Sequence, residues 1–316
     1  MTAARVVQLA PLPADLADAL SERFGAVTVP RPGAEGRLEA LAALGDDVTV
    51  GVTTARHGVD GAALDAVGSL GAVVSFGVGV DAIDLEVAGR RGIEVATTPG
   101  MLTDAVADTA VALVLDAVRG VSAADRFVRD GRWAAGETFG LTGQLTGRTV
   151  GIVGMGRIGT AVAERLEGFH CEIGYHNRRP VADCPYAYHP SVAALADAVE
   201  VLVVTAPGGG EPLVDADVLD RLGPEGVLVN VGRGSVVDEA ALVDALESGR
   251  LGAAGLDVFA DEPRVSPRLL ALDNVVLTPH IGSATVETRT QMTRLVLDNV
   301  HAFLVDGRLV TPLDGA

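Results

Sequence analysis

The chain has 316 residues, enough for two cores, since a single hydrophobic core stops growing at roughly 250–300 residues. Hydrophobic residues make up 48% of it, and 42 acidic against 24 basic residues leave a formal charge of −18, which opposes binding to nucleic acid or to an anionic membrane. Lysine is absent, which excludes Schiff-base chemistry and the lysine of a phosphate-binding P-loop, so small anions must be caught locally by arginine or backbone.

From the N-terminus, residues 5–9, 26–29, 48–53, 72–76 and 93–97 read as short buried strands, with helical stretches at 12–24, 37–44 and 62–67 between them. This alternation predicts an α/β unit with a parallel sheet. Thr98-Pro99-Gly100 is a turn signal that fits a domain boundary. Residues 104–119 follow as a helix apolar on most faces, with Val106, Ala110, Val111, Val114, Leu115 and Val118 at helical spacing, as expected of a helix buried at a domain junction. A polar, glycine-rich stretch, 131–147, contains the only tryptophan, Trp133.

The next run, Thr149 onward, ends in Gly154-x-Gly156-x-x-Gly159 and passes into a helix-forming segment at 160–166. Between a strand and a helix those glycines suit a dinucleotide: the first for a tight turn, the second for close approach of a pyrophosphate, the third for helix-on-strand packing. The helix N-terminus supplies unpaired N–H groups for the anion. Strands at 171–175, 201–205, 227–231, 253–258 and 275–278, with helices at 192–198, 216–222 and 239–248, complete a second, doubly wound unit of about six parallel strands. The last segment, 287–304, reads as a long helix that can return to the first unit.

Polar groups stand after three successive strands of the second unit: Arg233 in Val231-Gly232-Arg233-Gly234, Asp257 and Glu262 in the following loop, and His280 in Thr278-Pro279-His280-Ile281-Gly282. Arg233 offers a planar fork that matches a carboxylate. His280 can give and take a proton near neutrality, and Glu262 would orient its ring. Together they suit reduction of a ketone beside a carboxylate.

The runs 230–242, 255–263 and 278–285, with Val78-Gly79-Val80-Asp81-Ala82-Ile83-Asp84, resemble the signatures of the D-isomer-specific 2-hydroxyacid dehydrogenase family, nearest its hydroxyphenylpyruvate and glyoxylate/hydroxypyruvate reductase branch. The resemblance implies two doubly wound parallel-sheet domains. One is a flavodoxin-like substrate domain at 1–98 and 289–316, the other a Rossmann-type dinucleotide domain at 99–288. It implies Arg233, Glu262 and His280 as catalytic residues, with Val78, Gly79 and Arg233 on the substrate carboxylate. The cofactor would touch Gly154, Met155, Gly156, Arg157, Ile158, Gly159, Ala206, Pro207, Val231, Gly232, Arg233, Asp257, His280 and Gly282, with Asp257 on the nicotinamide carboxamide side. It also implies a homodimer, with 105–119 and the segment after it near the contact; the cytoplasm is expected instead from the two cysteines, which form no disulfide framework.

Where an NAD enzyme carries an acid for the ribose hydroxyls, this chain has Asn177 followed by Arg178 and Arg179, which favours the 2′-phosphate of NADPH, with NAD as a weaker alternative. The glycine-rich loop 207–210 departs from the family, although Ala206 and Pro207 should still line the cofactor. The expected substrate is a small 2-oxoacid: glyoxylate, hydroxypyruvate or an arylpyruvate. The alternative is a nucleotide-sensing, corepressor-like interaction protein on the same fold. A formate dehydrogenase is rejected, because that branch has an amide where Glu262 stands. Cys171 and Cys184 show neither metal-site nor disulfide spacing, and no apolar run approaches a membrane span.

Overall fold

The computed structural model describes residues 5–313, which divide into two compact units, 5–102 with 286–313, and Thr103–Thr285. The first unit begins with β1 (Val6–Gln8), α1 (Ala14–Phe24), β2 (Val27–Thr28), α2 (Arg37–Ala42), β3 (Val50–Thr54), α3 (Gly61–Ala66), β4 (Ala72–Phe76), α4 (Leu85–Arg91) and β5 (Glu94–Ala96). The strands pair in parallel in the order β2-β1-β3-β4-β5, the flavodoxin-like arrangement. β4 is buried along its whole length, which is why it reads as an apolar run but for Ser75. Leu16 and Leu20, one turn apart, form the buried stripe of α1, and left-handed Gly25 ends it. Asp84 caps α4 by accepting from the Val87 N–H; the apolar pattern alone leaves this helix unmarked because it buries only Val87 and Ala88.

The second unit runs through α5 (Thr103–Arg119), α6 (Val121–Arg129), β6 (Thr149–Val153), α7 (Arg157–Glu167), β7 (Glu172–His176), β8 (Ala187–Tyr188), α8 (Val192–Ala196), β9 (Val201–Val204), α9 (Ala216–Leu222), β10 (Val227–Asn230), α10 (Glu239–Glu247), β11 (Ala253–Leu256), α11 (Pro267–Leu270) and β12 (Val275–Leu277). Its sheet has seven parallel strands in the order β12-β11-β10-β9-β6-β7-β8, not six. The extra strand, β8, has two exposed residues and so carries no apolar signal; it joins by pairing Gly174 with Ala187 and Tyr175 with Tyr188. β6 lies between β7 and β9, so strand order reverses there, and the crevice outside the carboxyl ends of β6 and β9 is where a Rossmann sheet takes its ligand. Leu195, Leu202, Leu219 and Leu228 are fully buried in this unit's core. α5 buries Val106, Ala110, Leu113, Val114 and Val118 and packs against α7, β10 and β11.

The chain then returns to the first unit with α12 (Val286–Asp306), which packs on β4 and β3. Buried Asn299 accepts from the Val310 and Thr311 N–H groups, and the Thr311 hydroxyl donates to the Thr97 carbonyl. Among the described residues, no helix is long and apolar enough to cross a membrane.

Candidate active site

The turn after β6 is shaped by its glycines. Gly154 has φ 103°, and a Cβ there would fall 2.8 Å from the Ala206 nitrogen, so only glycine lets the ends of β6 and β9 approach this closely. A Cβ at Gly159 would collide with the Gly154 carbonyl, whereas Gly156 faces open space. The Thr205 hydroxyl donates to the Gly154 oxygen at 2.7 Å and holds the turn. α7 starts immediately afterwards, and no side chain caps its first N–H groups.

A groove of about 960 Å³ opens over this turn, lined by Gly154, Gly156, Asn177, the exposed Arg178 and Arg179, and the 205–211 loop. Its volume is within the range of cofactor pockets. The open face of Gly156, the uncapped helix start and the two arginines give it the donors and charge that fit a phosphorylated dinucleotide. The Asn177 side chain does not point outward as a lone polar group: its Oδ1 accepts from the Met155 N–H at 2.6 Å, and its Nδ2 donates to the Met155 carbonyl at 3.3 Å. One neutral amide thus fastens the end of β7 to the glycine turn.

The remaining polar residues follow β10, β11 and β12, neighbours in the sheet whose carboxyl ends share the edge of β6. After β10, Asn230 shapes the turn by accepting from the Gly232 N–H and donating to the Arg233 carbonyl, at 3.0 and 2.9 Å. Half-buried Arg233 donates from Nη1 to the Gly232 carbonyl at 2.8 Å. A Cβ at Gly234 would collide with the Phe259 carbonyl, so glycine is what brings the Arg233 turn against the loop after β11. That loop carries Glu262, whose Oε2 accepts from His280 Nδ1 at 2.7 Å while its Oε1 accepts from the Phe259 N–H at 3.2 Å. Asp257, 2% exposed, organises the His280 loop. Its carboxylate accepts from the Thr278 hydroxyl at 2.6 Å and from the Ile281 and Gly282 N–H groups at 2.8 Å. The His280 N–H donates to the Asp257 carbonyl at 2.9 Å, and these contacts hold His280 at φ 55°.

The model of the D-isomer specific 2-hydroxyacid dehydrogenase NAD binding domain matches residues 111–282. A hydroxyphenylpyruvate reductase of Plectranthus scutellarioides is 44% identical over 315 residues, spanning 99% of this chain and all of the relative. The chain belongs to the D-isomer-specific 2-hydroxyacid dehydrogenase family. A glyoxylate/hydroxypyruvate reductase A of Arabidopsis thaliana is 47% identical over 264 residues, covering 83% of this chain and 84% of the relative. Among solved structures, the NADPH-dependent glyoxylate/hydroxypyruvate reductase of Sinorhizobium meliloti in complex with NADP and malonate is 42% identical. It superposes with a TM-score of 0.91 over 99% of this chain and 97% of that one.

Within this dehydrogenase scaffold, Gly154, Gly156, Asn177, Arg178, Arg179, Ala206 and Pro207 line one groove. Gly208, Gly209 and Gly210 line it too. Met155, Arg157, Ile158 and Gly159 form the turn and first helical residues beneath it, and Val231, Gly232, Arg233, Asp257, His280 and Gly282 follow the next three strands. Val78 and Gly79 belong to the first unit, half-buried in the loop directly after β4. Sequence reasoning overlooked Thr205, Asn230 and Gly234, which shape backbone and offer no chemistry of their own; a polar residue or glycine just past a strand end is the signal that could have found them.

Proposed function

We propose that the chain is a cytoplasmic, NADPH-preferring reductase that converts a small 2-oxoacid to the D-2-hydroxyacid. The first unit would serve as substrate domain and the second as dinucleotide domain. The observation that carries this reading is the 2.7 Å His280–Glu262 hydrogen bond at the same sheet edge as the glycine turn. When bound, the reduced nicotinamide supplies the hydride. Arg233 pairs with the substrate carboxylate, assisted by backbone at Val78 and Gly79. His280 hands a proton from Nε2 to the carbonyl oxygen, and Glu262 keeps Nδ1 as the donor nitrogen and matches the ring's charge. Asp257 holds the His280 loop and would lie on the carboxamide side of a bound nicotinamide. Arg178 and Arg179, which line the groove, would face the adenosine 2′-phosphate of a bound NADPH, where each charge-assisted contact would contribute roughly 1.5–3 kcal/mol.

The reductase names of the relatives support an enzyme and lend nothing to the corepressor-like alternative. Free Cys171 and Cys184 suit a reducing compartment. A homodimer is supported by exposed Val128, Trp133, Phe139 and Leu141, an apolar surface at the end of α6 and in the segment after it, of the kind a second copy covers. Initial rates with NADPH and NADH against glyoxylate, hydroxypyruvate and phenylpyruvate test the proposal: turnover of at least one acid with a tenfold or greater NADPH preference is expected. Absence of turnover on the panel would sink the reductase reading, and equal use of both cofactors would sink the 2′-phosphate assignment.

A further inference from the structure

The first unit carries basic groups that the reading above leaves without a role. The loops after β3 and β4 are fastened together. The Ala55 N–H donates to the Phe76 carbonyl at 3.2 Å, the Val59 N–H to the Ala82 carbonyl at 3.0 Å, and the Asp84 N–H to the Val59 carbonyl at 3.0 Å. Gly58, at φ 57°, lies where a Cβ would collide with the Ala82 carbonyl. Arg56 and His57, at the tip between these bonds, are therefore fixed beside the loop that contains Val78 and Gly79.

The strand register sets Thr54 opposite Phe76, so the two side chains leave the sheet on one face. On that face the half-buried Arg289 of α12 lies with its guanidinium 5.3 Å from the centre of the Phe76 ring. His57 is held on Thr54: its backbone N–H donates to the hydroxyl at 3.2 Å, and ring Nδ1 lies 2.8 Å from the same oxygen. Desolvation of the partly covered ring, and then the charge of Arg56, push the His57 imidazole below its ordinary pKa, which favours the neutral form. With the Thr54 hydroxyl donating to Nδ1, the neutral ring carries its proton on Nε2. Among the described residues, neither Arg56 nor Arg289 makes an ion pair with a carboxylate. The corner thus presents the Arg56 guanidinium and the His57 Nε2–H as donors, with Arg289 as a second positive charge behind them.

We infer that this corner is a subsite for an oxygen-bearing group on C3 of the substrate or beyond, which selects short hydroxylated 2-oxoacids over arylpyruvates. The inference rests on the reading that the Val78–Gly79 backbone holds the 2-oxoacid carboxylate. An oxygen on C3 accepts from Arg56 and His57; an aryl ring there offers no acceptor and desolvates both donors.

The double variant Arg56→Gln/His57→Ala tests it, both residues being exposed, with the thermal midpoint checked against the parent. Three acids are compared by kcat/KM with NADPH: hydroxypyruvate, phenylpyruvate, and glyoxylate, which has no C3. The value for hydroxypyruvate is expected to fall at least about tenfold relative to glyoxylate, the loss of one hydrogen bond to a charged donor, while phenylpyruvate gains on both. A hydroxypyruvate-to-glyoxylate ratio within twofold of the parent, with glyoxylate still reduced, overturns the subsite alone. A parent chain that reduces none of the three overturns the reductase reading and the subsite with it.

Discussion

Because a carboxylate can only accept, the His280–Glu262 contact fixes Nδ1 as the donor and leaves Nε2 as the nitrogen of the proposed proton transfer. His280→Ala is expected to lower turnover by roughly 10²–10⁴ with NADPH binding retained; a loss under tenfold in steady-state assays would remove His280 from the proton path. Glu262→Gln keeps the shape but loses the charge facing the ring, so kcat should fall with little change in KM while the thermal midpoint stays at the parent's value, which excludes loss of active enzyme by unfolding. Asn177 makes a different kind of contribution, since its amide spans both backbone groups of Met155. Asn177→Asp keeps the acceptor for the Met155 N–H but sets an anion against the Met155 carbonyl, which should loosen the glycine turn and weaken NADPH and NADH together. Arg178→Ala with Arg179→Ala should weaken NADPH alone. Fluorescence titrations of both cofactors on these variants separate the two effects, and an Asn177→Asp protein that loses only NADPH would mean that the fastening to Met155 is unimportant.

α10, the helix that follows the Arg233 turn, is started by a side-chain cap, whereas α7 after the glycine turn has none. Asp238, just past the Arg233 turn, accepts from the Ala241 N–H at 3.0 Å, and Glu239 of α10 accepts from the Ala260 N–H at 2.9 Å in the loop that leads to Glu262. Asp238→Ala should cost about 0.5–2 kcal/mol in urea unfolding; an unchanged midpoint would show that the cap contributes nothing. Elements of this kind account for what could be read in advance. β9 is a continuous apolar run, and β4 and β10 depart from one only at Ser75 and Asn230, because both faces are covered, and the glycine spacing after β6 marks a strand handing over to a helix. β8 and α11 are too short to show a period, and α6 presents apolar residues to solvent as well as to the core, so none of the three declares itself. The site was legible as loops at successive strand ends, since parallel topology alone gathers those ends on one edge. The Asn177–Met155 and Asp257–Thr278 contacts were not, because a side chain's partner depends on which loops the fold lays side by side.

For the whole molecule, a formal charge of −18 repels anionic substrate and cofactor at long range, so arginines and backbone N–H groups at the site must supply the attraction locally. If the apolar surface around Trp133, 69% exposed, and Leu141 is covered by a second copy, light scattering should give the mass of two chains, and Trp133→Ser with Leu141→Ser should give one. A wild-type chain that runs as a monomer would contradict that assembly. On this scaffold the strand-end residues should reduce a 2-oxoacid to the D isomer with NADPH. Chiral chromatography of the glycerate formed from hydroxypyruvate and NADPH tests it most directly. D-glycerate in step with NADPH consumption is the expected result; L-glycerate, a racemate, or no glycerate with any loss of NADPH would contradict it.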